Sequence, residues 1–243
     1  MDMISAINSR ISRRTYLETP IAPEKLEKLL EGMDKVNKES GLSVTYLEEG
    51  GEAFEGAKGY GMFKGVHALM VLKGKKDLEH LKEKVGYYGE WLILLAESMG
   101  LGTCWVGGTY DKADKAFAVP EDEQIVCVVP VGNVTESDAD EKMIWDNIHR
   151  KTKTIEEMIQ TDHPLTKEEW AAMKLVQRAP TARNTQKVEF IFKDHKIMAQ
   201  VPDDYHFDLV DLGICKLHFE VGMKAVFSAG HFPFGNRSFF AEK

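Results

Sequence analysis

Apolar positions along this chain repeat with two periods, and the places where one gives way to the other mark the elements. Ile4, Ile7 and Ile11 recur at helical spacing near the start, and "APEKLEKLLEGM" carries Leu26, Leu29 and Leu30 on one face behind Pro23, a residue suited to a first helical turn. The pattern then changes to that of strands. "LSVTYLE" has the β-branched and aromatic alternation of a strand, and "VHALMVLKG" is an apolar run of strand length. "GEWLILLAESMG", with Leu92, Leu95 and Ala96 at helical spacing, is apolar almost all round and predicts a buried central helix. "QIVCVVPVGN" predicts a fully buried strand ending at Pro130 and Gly132. Residues 134–164 are polar and read as a connector holding a short helix. After them the pattern starts again: "TKEEWAAMKLV" opens with Thr166 and Glu169 at capping-box spacing, "KVEFIF" is a strand, and "LGICKLHFEVGMKAVFSAG" is a second apolar helix running into Gly222.

This restart has the form of an internal repeat. Setting Gly100 on Gly222 aligns Leu92 with Ile214, Leu95 with Leu217, Trp105 with Phe227 and Gly107-Gly108 with Ala229-Gly230. Val44 matches Val188 and Tyr46 matches Phe190 at a different offset, so the second copy is shorter between strand and helix. Any two amphipathic helices ending in glycine align to some degree, but two elements matching in order favour duplication. The expected organisation is a first half at 1–150 and a second, shortened and diverged half at 151–243, together forming one compact unit.

Composition narrows the chemistry. With 243 residues, 43% of them hydrophobic, the chain can bury a sizeable core. Its net charge of −8 argues against nucleic acid or an anionic membrane as partner, since those need a positive field. No apolar run has signal-peptide or membrane-spanning length, so the expected location is the cytoplasm. Cys104, Cys127 and Cys215 lie in apolar runs without a CxxC, and the eight histidines show no paired ligand spacing, so no metal site is expected. A GxSxG elbow and a GxxxxGK[ST] loop are both lacking.

Three polar or glycine-rich stretches remain. In "MGLGTCWVGGT" the helix precedes the glycines, the reverse of a dinucleotide-binding loop, where the helix N-terminus attracts the pyrophosphate. Gly100 and Gly102 are explained as helix cap and tight turn, whereas Gly107 and Gly108 suggest close approach by a ligand or another backbone. "NSRISRRTYLETPI" sets Arg10, Ser12 and Arg14 at alternate positions, on one side of an extended chain. Arginines there also complement a helix dipole, and the spacing alone does not separate the two roles. "RAPTARNTQKVEF" is a polar loop leading into a strand, equally compatible with an ordinary turn.

Taken together with "VVPVGN", these stretches resemble the flavin-dependent nitroreductase family. The parallels are its Arg-x-Ser-x-Arg start, Pro-Ser-Ser-x-Asn-x-Gln loop, Gly-Leu-Gly helix end and Val-Gly strand end. The resemblance implies an α+β fold: an internally duplicated α-β-α sandwich with a central, mostly antiparallel sheet and buried central helices. It implies FMN as cofactor, with Arg10, Ser12 and Arg14 at the phosphate and Cys104, Trp105, Val106, Gly107 and Gly108 beside the reactive edge. Pro180, Thr181, Ala182, Asn184 and Gln186 match the loop beside the ring, although Thr181-Ala182 replaces Ser-Ser and Lys187 stands where Pro is usual. Arg150, Lys151 and Lys153 resemble the basic tail that closes on the phosphate, and are as readily a solvated charge run. Family members are usually homodimers, whereas here each half holds one set of residues. That implies a fused dimer with one FMN per chain, feasible as a monomer or as a homodimer. The implied activity is hydride transfer from NAD(P)H through flavin to a nitroaromatic compound, quinone or similar acceptor, with no catalytic side chain assigned. An FMN-binding storage or sensing module is the alternative. Residues 48–65, rich in glycine, are expected to form a mobile loop that shapes specificity.

Overall fold

The computed structural model describes every residue except 1, 56–58, 138, 149–150, 225–229 and 243. Among the described residues, α-helices lie at Met3–Ser9 (α1), Pro23–Ser40 (α2), Leu81–Ser98 (α3), Ala139–Ile148 (α4), Lys167–Val176 (α5) and Asp208–Gly222 (α6). The strands are Thr45–Leu47 (β1), Ala68–Lys75 (β2), Gly102–Thr103 (β3), Glu123–Gly132 (β4), Ile159–Thr161 (β5), Glu189–Lys193 (β6), Lys196–Gln200 (β7), Gly230–His231 (β8), Ser238–Phe239 (β9) and Ala241–Glu242 (β10). Two compact units share these elements. Unit 1 holds Ser9–Leu81 and Leu92–His149, and unit 2 holds Asp2–Asn8, Lys82–Trp91 and Arg150–Lys243, a grouping that a single cut at residue 150 does not reproduce.

Unit 1 is built on the antiparallel sheet β1-β2-β4-β3. Strand β2 reads as one apolar run because both its edges are paired, Met70 with Tyr46 on one side and with Val129 on the other. The β3–β4 ladder is shorter than the run "TCWVGG" predicts. Gly102 pairs with Gly132 and Thr103 with Val131, and Val106 bridges Val128 in the same register, so Cys104 faces Pro130. Proline has no N–H to give back to Cys104, and the ladder lapses there before resuming at Val106. Pro130 therefore interrupts pairing inside β4 and does not end the strand. Ala53 and Phe54 are buried, and Phe54 packs with Phe63, Tyr110 and Phe117 in one apolar cluster.

Helix α3 ends as its sequence predicts. Gly100 adopts φ +74°, its N–H donates to the Glu97 carbonyl at 2.9 Å, and Leu101 N–H reaches back to the Ala96 carbonyl at 3.0 Å. This pair of bonds is a Schellman cap, which favours glycine because a Cβ is disfavoured at positive φ. Gly102 is different: it lies in β3, where an added Cβ would come within 2.3 Å of Val134 Cγ1 and 2.9 Å of Arg13 Cγ. Close packing, not a tight turn, requires that glycine.

Unit 2 carries a second sheet, β5-β6-β7-β9, antiparallel except for the parallel pair β5/β6, and a separate β8/β10 pair. Its β6–β7 hairpin turns on Asp194 and His195, both at positive φ, the geometry of a two-residue type I′ turn. Phe190, Phe192, Phe219, Phe232 and Phe240 meet ring against ring above this sheet. Helix α5 opens with the expected capping box between Thr166 and Glu169. Gly222, aligned in sequence with the left-handed Gly100, is the last residue of α6 and is required by packing: a Cβ there would lie 2.3 Å from Ala172 Cα of α5. The repeat positions Phe227 and Ala229 lie outside the described residues.

Candidate functional site

The residues expected at a flavin fall in two groups, one in each unit. The helix α1 stops at Ser9, and residues 10–14 continue outside any helix, with Ser12 in a β-bridge. Ser12 forms a parallel bridge with Thr103, and Arg13 N–H donates to the Thr103 carbonyl at 2.8 Å, so this segment lies along β3. Further on, Lys64 N–H donates to the Arg14 carbonyl and Tyr16 N–H to the Lys64 carbonyl, both at 2.9 Å. The segment is thus held by backbone bonds at Arg13, Arg14 and Tyr16.

Cys104 lies in the field of this segment. Burial pushes its thiol up and the Glu141 carboxylate adds to that, while Arg14, the Ser12 hydroxyl and Arg10 act in the opposite direction. Cys104 and Val106 are buried, Trp105 and Gly107 half-buried and Gly108 exposed. An added Cβ at Gly108 meets nothing within 4 Å, so no protein neighbour demands that glycine.

Arg13, between the two expected arginines, has a separate task. Its Nη1 donates to the Ser137 carbonyl at 3.0 Å and lies 3.9 Å from Glu141 of α4. Glu141 Oε1 also accepts from Arg14 N–H at 3.1 Å and Thr15 N–H at 3.3 Å. Glu141 therefore grips the backbone of the arginine segment, a role its place in a polar connector gave no means to foresee.

In unit 2 the Pro180–Gln186 loop is strained. Arg183, Asn184 and Gln186 all have positive φ, between 45° and 55°, which is costly for non-glycine residues. Asn184 N–H donates to the Thr181 carbonyl at 2.9 Å and Gln186 N–H to Thr181 Oγ1 at 3.1 Å, closing the turn. Gln186, expected to offer its amide to a ligand, is buried and committed internally. Its Oε1 accepts from Lys153 N–H at 2.7 Å and its Nε2 donates to the Gln177 carbonyl at 3.0 Å. Lys153 Nζ in turn donates to the Gln186 carbonyl at 2.9 Å, so this lysine secures the loop. Pro180, Thr181, Ala182 and Asn184 are half-buried, Lys151 is exposed, and Arg150 lies outside the described residues.

Comparison with known proteins places this arrangement. A family model described as "Putative TM nitroreductase" matches residues 2–223. The chain belongs to this nitroreductase family. Its fold is similar to that of a solved structure from Thermotoga maritima MSB8 described as a "putative nitroreductase". The TM-score is 0.64 at 18% identity, over 99% of this chain and 92% of that one. An FMN-dependent nitroreductase from Clostridium difficile R20291 matches at TM-score 0.47 and 17% identity, over 60% of this chain and 98% of that chain. A nitroreductase with bound FMN from Bacteroides fragilis NCTC 9343 matches at 0.44 and 17%, over 56% and 90%. No curated protein matches the sequence.

Beside the two groups of candidate residues the chain carries charged groups that its local sequence pattern did not reveal. Besides Glu141 they include Asp211, in the apolar run of α6, whose carboxylate accepts from Ala182 N–H. A charge in an apolar helix was the available signal for Asp211. Among the described residues, no helix of the chain is long and apolar enough to cross a membrane, and no group of three or more His, Cys, Asp or Glu side chains could hold a metal ion.

Proposed function

We propose that the chain is an FMN-dependent oxidoreductase that accepts hydride from NAD(P)H and passes it to a nitro compound, quinone or similar electron-poor acceptor. The observation that carries this reading is the pairing of the Arg10–Arg14 segment with β3, through the Ser12–Thr103 bridge and the Arg13 N–H to Thr103 carbonyl bond, in a chain of the nitroreductase family. The donor set fits a phosphate dianion: two guanidinium groups provide charge-assisted bonds and locally offset the net charge of −8. An orphaned atom adds to the fit. Thr103 Oγ1, on the strand beside Ser12, is buried without a hydrogen-bond partner among the described residues.

FMN, when bound, supplies the hydride chemistry. The residues supply placement. Glu141 holds the backbone of Arg14 and Thr15 so that the Arg14 side chain is presented from a fixed point. Arg13 is engaged with Ser137 and Glu141, and Arg14 Nη1 donates to the Ser12 carbonyl at 3.3 Å, which ties its guanidinium to the Ser12 backbone. Gly108, exposed and unhindered, lets a flat ring edge lie against the backbone. The family resemblance assigns Pro180–Asn184 to the ring, and Gln186 and Lys153 serve this reading as supports of the loop. Arg-x-Ser-x-Arg occurs once, so the proposed stoichiometry is one FMN per chain, with the halves 1–150 and 151–243 as descendants of a duplicated unit.

An absorbance spectrum of the purified protein, followed by NADH and NADPH oxidation with nitro compounds and quinones, tests the reading. Oxidised-flavin bands and acceptor-dependent turnover are expected. A protein that binds no added FMN refutes it.

A further inference from the structure

Buried charge is concentrated on α6, and one of its carboxyl groups, among the described residues, accepts hydrogen bonds from the candidate flavin loop alone. Asp211 is 2% exposed, and both of its oxygens accept from Ala182 N–H, at 2.9 and 3.0 Å. Its neighbour Asp208 is engaged elsewhere: Oδ2 accepts from the Asp204 and Tyr205 N–H groups at 3.1 Å and from Lys187 Nζ at 3.3 Å. Ala182 opens the strained turn, ahead of Arg183 and Asn184 at φ 55° and 49°. Two anchors thus secure the loop, Asp211 at its front through Ala182 and Gln186 at its rear through Lys153 and Gln177. Asn184 lies between them. A turn with several residues in the left-handed region keeps that shape only while its surroundings hold it there.

We propose that Asp211 is a positioning residue for the flavin: it holds Ala182 N–H from beneath and so fixes the turn that presents Asn184 to FMN. The inference rests on the flavin reading above. The anchor is also sensitive to protons. Burial pushes Asp211 up to about 8; Ala182 N–H acts against that rise, Asp208 on the same helix adds to it, and Lys187 from the segment leading into β6 opposes it. The Cys215 thiol, one turn further along α6, faces the same carboxyl and is itself pushed well up by burial. Because a hydrogen bond to an ionised acceptor is roughly twice as strong as one to a neutral acceptor, ionising Asp211 tightens its hold on Ala182.

The test uses the full chain. In the flavin-free wild type, the Ala182 amide resonance followed by ¹H–¹⁵N NMR should titrate with a midpoint near pH 8, and Asp211→Asn should abolish that titration. FMN titrations from pH 6.5 to 9.5 should show binding tightening through the same midpoint in the wild type and no such change in Asp211→Asn, which keeps an acceptor but not the charge. Asp211→Ala should weaken binding about tenfold at pH 9, the loss expected for a bond to a charged group. If the wild type binds FMN and either Asp211→Ala binds equally well or the Ala182 resonance does not move, the proposal is overturned while the flavin reading stands. If the wild type binds no FMN at any pH, the flavin reading fails and this inference falls with it. Should Asp211→Ala fail to fold, the Asp211→Asn comparison decides alone.

Discussion

Gly213→Ala is the substitution whose sign best tests how unit 2 is packed. In an exposed helix interior the change stabilises by about 1 kcal/mol, because alanine has the better helix propensity. Here the added Cβ would lie 2.0 Å from the Glu83 carbonyl oxygen and 2.7 Å from the Tyr87 nitrogen, both backbone atoms of α3. Ordinary contact begins near 3.4 Å, so the helices must separate by up to about 1.4 Å, and no rotamer change can relieve it. The same contact recurs at Gly86, whose Cβ would fall 2.0 Å from the Val210 carbonyl oxygen. Between these glycines and the helix ends run the buried bonds that separation would stretch: Lys216 to Glu83, Tyr87 OH to Glu220 at 2.5 Å, and the His218 ring to Glu90 at 2.9 Å. Overpacking alone costs about 1–3 kcal/mol, and a broken buried ion pair about 3–5 kcal/mol. We expect a net destabilisation of about 3 kcal/mol, which at roughly 2–4 °C per kcal/mol lowers Tm by about 6–12 °C. Differential scanning calorimetry measures it, with Gly108→Ala as control, expected within about 0.5 kcal/mol of wild type because nothing lies within 4 Å of its Cβ. A Gly213→Ala protein melting at or above wild type would show that the helices are not in backbone contact, and the reasoning would be wrong.

Other perturbations separate stability from binding. Gly102→Ala, pressed between Val134 and Arg13, should cost about 1–3 kcal/mol in urea denaturation, whereas Gly108→Val should leave stability intact and lower FMN occupancy of the purified protein. Arg14→Ala should weaken FMN binding about 10- to 100-fold, as loss of a charge-assisted bond predicts; fluorescence titration showing wild-type affinity in both Arg10→Ala and Arg14→Ala would refute the phosphate assignment. Stability should fall as pH rises from 5 to 7. Burial raises Asp211 to about 8 and Glu220 to about 7, so the folded state binds more protons than the unfolded one across that range. Each such group contributes a slope of about 1.4 kcal/mol per pH unit, and Asp211→Asn should remove its share in denaturation curves at pH 5, 6 and 7.

The local signals that survive in the structure are those whose cause is itself local. Thr166 and Glu169 form their capping box because three residues of helix suffice to close it. Gly100 caps α3 because the last turn dictates a left-handed residue there. The type I′ turn at Asp194-His195 has a local cause too, since Asp is among the residues that tolerate positive φ. Residues that depend on distant partners were misjudged. Gln186 resembles a ligand-binding amide in sequence, yet Lys153 and Gln177 consume it, and Gly102 resembles a turn glycine until Val134 and Arg13 are seen against it.

By itself the order of residues determined the helices and main strands, the family to which the motifs point, and the alternate spacing of Arg10, Ser12 and Arg14. Periodicity, capping and side-chain alternation act over a few residues and can be read along the chain. Only the tertiary structure decided which buried charges on α6 find partners, because Lys216 and Glu83 are separated by 133 positions in sequence. It alone also decided that Pro130 would break the β3 ladder opposite Cys104, and that Asp211 would come to lie beneath the Ala182 amide. A buried carboxylate is tolerable only where the fold brings a donor to it, and that meeting depends on how whole elements pack.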